Sequence, residues 1–85
     1  MMKLFLIEQD QNNDYDTYDS AVVAVMDEES ARMTNPSNGT PMKDKDWNEN
    51  YSSWCNGPEH VKVRYLGEAI DGVKHGIVCS SFNAG

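Results

Sequence analysis

The sequence predicts a small α+β domain, a mostly antiparallel sheet of about four strands with one main helix and a long tryptophan-containing loop. Three observations carry that reading. Two continuous apolar runs occupy the first third of the chain, KLFLIE at residues 3–8 and AVVAVM at residues 21–26. A helix with a recognisable cap follows the second run directly. The last third holds an alternating segment, VKVRYL, and a short β-rich one, GIVCSSF.

The first run places Leu4 and Leu6 on one face of a strand and Phe5 and Ile7 on the other. In the second run, three β-branched valines favour a strand. With no polar residue breaking it, this strand is expected to be central, with both faces covered. The connection at residues 9–19, QDQNNDYDTYD, is polar and rich in Asn and Asp, which suits turns. The two strands are therefore expected to pair antiparallel across a wide connection.

Asp27 reads as the helix N-cap, since its carboxylate can accept a backbone N–H two or three residues on. Glu28 and Glu29 then fall in the first turn, where the helix dipole favours negative charge. Glu28 and Arg32 stand four apart and can pair. Asn35-Pro36 stops the helix, because the residue before a proline avoids the helical region.

Residues 35–60 hold all three prolines (Pro36, Pro41, Pro58) and both tryptophans. A stretch this long is either a functional loop or one with its own packing. Trp47, Tyr51 and Trp54 are spaced as one face of a short helix, with Asp46 as its cap. They either roof an open end of the core or form an aromatic contact surface, for Trp and Tyr dominate binding hot spots. In the alternating segment, Val61, Val63 and Tyr65 share one face and Lys62 and Arg64 the other, as in a strand with one wet face. Gly67 ends this strand, Asp71-Gly72 is a turn dipeptide, and the strands on either side of it are expected to form a hairpin.

The chain has 85 residues and a net charge of −7, and reads as one domain. A domain of this size buries only about 60–65% of its unfolded surface, so a homo-oligomer, a disulfide or a metal would help it. Between residues 8 and 29 there are eight acids and no Lys or Arg. Such an arc argues against free nucleic acid as a ligand, because phosphates must be met by basic groups. It suits a basic protein partner or a solubilising surface. Within it, Asp14, Tyr15 and Asp16 are the candidate contact residues, while Tyr18 and Asp19 abut the strand and serve the fold. Replacing Tyr15 and Asp16 by Ala is expected to leave the melting temperature unchanged. The apolar start, residues 1–7, is too short for a signal peptide or a membrane span, so a cytosolic protein with free thiols is expected.

No set of residues assembles a catalytic site. His60 and His75, the only histidines, lie in no nucleophile motif, and the glycines are scattered turn residues, not a phosphate loop. Asp10, Asn12 and Asp14 have the one-three-five spacing of an EF-hand loop, but Tyr15 and Ala21 stand where its Gly and Glu are needed. Cys55, His60, His75 and Cys79 are conceivable zinc ligands, yet neither pair has C-x-x-C spacing. Along a strand, residues 75 and 79 would lie about 13 Å apart. No metal and no cofactor are expected, and Cys79 is expected in the core.

Several stretches together resemble a family of small, uncharacterised proteins encoded by tailed bacteriophages. They are KLFLI at residues 3–7, YDTYDSAVV at 15–23, Glu28-Glu29 with Ala31-Arg32, Trp54 ahead of Val61-Lys62-Val63, LGEA at 66–69 and SFNAG at 81–85. The family often has His-Pro after the helix, where this chain has Asn35-Pro36. The resemblance implies a setting, the cytoplasm of an infected bacterium, and not a mechanism. In that setting the expected role is a non-catalytic accessory protein that binds and inhibits a bacterial host protein, with defence components among the targets. The alternatives are an oligomeric sponge for a nucleotide signal and a structural virion component. Trp47, Tyr51 and Trp54 would be the apolar anchors of the inhibitor.

Overall fold

The computed structural model describes residues 2–12, 16–47 and 54–83, with the side chains of Asp44, Lys45 and Asn83 left out. The two apolar runs become β1 (Lys3–Glu8) and β2 (Thr17–Val25). They are followed by α1 (Glu28–Arg32), 3-10 turns at Asp44–Trp47 and Pro58–His60, β3 (Lys62–Glu68) and β4 (Gly76–Asn83). The fold is α+β: the described residues form a four-stranded antiparallel sheet in the order β3-β1-β2-β4 with one short α-helix.

The sequence patterns explain the order. β1 and β2 carry apolar residues on both faces and take the two central positions. They pair antiparallel from Lys3 opposite Val25 to Glu8 opposite Ser20. β3, with its charged face, pairs with the outer side of β1, and β4 pairs with the outer side of β2. The expected hairpin between β3 and β4 is therefore wrong. The Asp71-Gly72 turn exists, with Gly72 at φ 95°, but it lies on a connection joining opposite edges. Three strand spacings, about 14 Å, separate those edges. The connection crosses the end of the sheet, where the Ala69 N–H donates to the Met2 carbonyl at 2.9 Å. β3 also runs through Gly67 instead of stopping there, with Leu66 as an extra residue between the pairs Phe5–Tyr65 and Leu4–Gly67.

The core lies on one face of the sheet. Phe5 and Ile7 from β1 and Ala21, Val23 and Val25 from β2 meet Ala31 of α1, Met42, Trp54, Cys55 and Val61. Leu4, Leu6 and Val22 point the other way and are half-buried. They sit outside that core cluster, so the expectation of two covered faces holds for one. Beside Leu6 and Val22 a shallow depression of about 150 Å³ reaches Cys79 and Ser81.

The helix starts as its sequence requires. The Asp27 carboxylate accepts the Ser30 N–H at 2.7 Å, and this bond holds the carboxyl below its ordinary pKa. Arg32 reaches Glu28 at 3.9 Å, and its guanidinium also donates to the Val61 carbonyl at 2.6 Å, tying the helix to the entrance of β3. The chain leaves the helix through buried Thr34, whose hydroxyl donates to the Ser30 carbonyl. The loop beyond is closed by the Asn35 N–H on the Thr40 carbonyl at 2.8 Å. Gly39 is required there. It has φ 78°, and a Cβ on it would stand 3.3 Å from the Gly76 Cα.

Candidate functional site

The acidic arc is not one surface. β2 lies inside it and divides it. Glu8, Asp10, Asp16 and Asp19 gather at the end of the sheet where β1 finishes and β2 begins. Asp27, Glu28 and Glu29 sit beyond the far end of β2. Nine extended residues place the two groups roughly 25 Å apart. A run of like charge in sequence becomes two patches because a strand carries the chain away between them.

The first patch is built on a residue that the sequence reading passed over. Gln9 is 5% exposed although it stands in the polar connection. Its amide donates to the carbonyls of Asn12 and Tyr18, both at 2.8 Å. Its carbonyl oxygen accepts the N–H groups of Gln11 at 2.9 Å and Asn12 at 2.8 Å. One side chain thus satisfies two donors and two acceptors of the turn. The turn is then stitched to the tryptophan loop. The Asn12 amide donates to the Trp54 carbonyl at 2.9 Å, and the Asn56 N–H donates to the Gln11 side chain at 2.9 Å. The only sequence signal for this was an amide directly after an apolar strand.

Asp16 is exposed and has φ 62°, a left-handed conformation that Asp tolerates better than most residues. Alanine there would be strained, so the neutral double alanine expected from sequence needs Asn at this position instead. Asp19 is exposed, while Tyr18 is half-buried and meets the Phe82 ring at 4.8 Å. Asp10 pairs with Lys62 at 3.7 Å with both groups exposed, a geometry worth little to stability. Asp14 and Tyr15 lie outside the described residues.

The aromatic candidates divide. Trp54 is 1% exposed and is the largest fully buried side chain of the core. It roofs the core, as one of the two readings required, and presents no contact surface. Trp47 is half-buried against the same cluster. Tyr51 lies outside the described residues. The helix expected through Trp47 and Trp54 is described only as the 3-10 turn Asp44–Trp47. Asp46 lies within that turn, and its carboxylate accepts the Lys43 N–H at 2.9 Å.

Cys79, expected in the core, is exposed, and the buried cysteine is Cys55. Cys55 is buried with its thiol donating to the Gly57 carbonyl, and burial pushes its pKa up. Cys79 is exposed, because β4 is an edge strand and its residue faces away from the core. Both are free thiols. Among the described residues no three His, Cys, Asp or Glu side chains gather as metal ligands, and no helix is long and apolar enough to cross a membrane.

At the other end of the molecule an open cavity of about 560 Å³ is lined by Ser37, Asn38, Lys74, His75, Ile77 and Val78. His75 also lines an adjoining cavity of about 240 Å³ with Glu29, Met33 and Pro41. No family model, curated protein or solved structure matches the chain.

Proposed function

We propose that the chain is a non-catalytic phage accessory protein that binds and inhibits a bacterial host protein in the cytoplasm of the infected cell. The observation that carries this reading is the acidic turn. Glu8, Asp10, Asp16 and Asp19 lie at the end of the sheet where the Gln9 amide bonds to the carbonyls of Asn12 and Tyr18 and the Asn12 amide bonds to the Trp54 carbonyl. An acidic patch steers a basic partner and speeds encounter. Half-buried Trp47 is the apolar anchor that remains once Trp54 is assigned to the core.

The sponge reading keeps one specific observation. The larger cavity combines Lys74 and His75 with Ser37 and Asn38, groups able to meet a phosphate. A pull-down from bacterial lysate across a salt series separates the two. The inhibitor reading expects a host protein captured at low salt, and loss of capture when Asp16→Asn and Asp19→Asn are combined. A nucleotide that co-purifies while no host protein is held at any salt concentration would replace the inhibitor with the sponge.

A further inference from the structure

We propose that two copies of this chain pair antiparallel along β4, joining their sheets into one of eight strands about a two-fold axis near Ser80. The inference does not rest on the functional reading above.

An edge strand presents unpaired N–H and C=O groups, and proteins blunt such edges with charges, prolines or bulges. Each edge here carries one extra residue, Leu66 in β3 and Val78 in β4, so bulges do not distinguish them. Charge does. β3 carries Lys62, Arg64 and Glu68, whereas β4, reading GIVCSSFN, is the only one of the four strands without a charged side chain. In a chain of net charge −7, an edge strand that itself carries no charge of either sign sets no like charges directly opposite one another when a second copy pairs with it. Residues 78–82 are all exposed, Val78 at 53% and Phe82 at 46%.

The register is self-complementary. With Ser80 on the axis, Val78 of each copy stands opposite Phe82 of the other, and Cys79 stands opposite Ser81. Two exposed apolar pairs are covered, an aromatic and a β-branched residue in each, which is a favourable cross-strand pairing. The contact involves about six residues a side and buries on the order of 1,000 Å² in total, the lower bound for a specific interface. An interface at this lower bound makes a dimer whose population depends on concentration.

Light scattering or sedimentation on the full chain tests it. The mass average should climb from 9.6 kDa toward twice that value as concentration rises to about 1 mM. Ser80→Lys, at an exposed position, should keep the wild-type circular dichroism and hold the mass at the monomer value. Arg64→Lys on the opposite edge, which keeps the charge that blunts β3, should dimerise as wild type does. Oxidative cross-linking tests the register. Directly opposed residues have Cα atoms about 4.5–5.5 Å apart, within disulfide range. The double variant Cys79→Ser, Ser80→Cys should therefore link covalently under mild oxidant. Wild-type Cys79 pairs, about 8 Å apart in this register, should not link. A wild-type chain monomeric throughout the range overturns the proposal. So does a Ser80→Lys variant that dimerises undiminished, or preferential linking through Cys79.

Discussion

Gln9→Ala is the substitution that separates a built turn from a merely polar one. The side chain makes four hydrogen bonds of 2.8–2.9 Å from a position 5% exposed. A typical hydrogen bond contributes about 0.5–1.5 kcal/mol net, and a buried group left unmatched loses its desolvation energy as well. Water can reach part of this turn, so the expected loss is about 2–4 kcal/mol, below the sum of four full penalties. For a domain of this size about 4–8 °C of melting temperature accompanies each kcal/mol, so the midpoint should fall by on the order of 10–20 °C. Urea unfolding followed by circular dichroism gives the free energy, and calorimetry the midpoint. Gln9→Glu sharpens the test. The new carboxyl keeps an acceptor for Gln11 and Asn12 but, when ionised, turns an oxygen toward the carbonyls of Asn12 and Tyr18. Only its protonated form can donate there, so its folded pKa lies above the ordinary Glu value of about 4.3. Its stability relative to wild type should be best below that value and be lost as pH rises through the folded pKa. A loss under about 0.5 kcal/mol for the alanine variant would refute the argument that this one side chain holds the turn.

The remaining expectations are simpler. Asp27 has its pKa depressed by the Ser30 N–H, so its stabilising effect is complete above 3.8 and is lost as pH falls through the lower folded value; Asp27→Asn keeps a cap but should flatten this part of the acid-unfolding curve. A thiol reagent should titrate one cysteine in the native protein, Cys79, and two after denaturation, since Cys55 is buried with its thiol pKa raised; two fast thiols in the native state would place Cys55 outside the core. Trp54→Ala should destabilise by about 3–5 kcal/mol, through lost transfer energy and a cavity, and Trp54→Phe by less; a variant that melts like wild type would show that the residue does not close the core.

The strands were legible because their patterns are strong. The apolar run in β2 marked a central strand, the one in β1 a strand apolar on both sides, and alternation in β3 a strand with one wet face. Asp27 was legible because a cap is a local event, settled within four residues. What failed were statements about non-local placement. The Asp71-Gly72 turn was real, but a turn dipeptide does not say whether the flanking strands are neighbours. Cys79 was expected in the core; strand order decides its exposure, and no local pattern encodes strand order. The acidic arc was read as a surface although a strand ran through it. Gln9 left almost no trace, since a buried amide and a solvent-facing one look alike in sequence. Asp14, Tyr15 and Tyr51 lie outside the described residues.

The order β3-β1-β2-β4 places the last two strands synthesised outside the first two. As the chain leaves the ribosome, β1 and β2 can pair at once, but a two-stranded unit is marginal alone. Its partners for the core, Trp54, Cys55 and Val61, and both flanking strands come from the second half of the chain. Translation at about 5–20 residues per second leaves roughly sixty residues, or about 3–12 s, during which two apolar strands have open edges. β1 finds its second neighbour only when residues 62–68 appear. The nascent chain is thus most prone to pair with the wrong strand, including a strand of a neighbouring nascent chain, before β3 is made. Slow translation between the end of β2 and the start of β3 would prolong that interval.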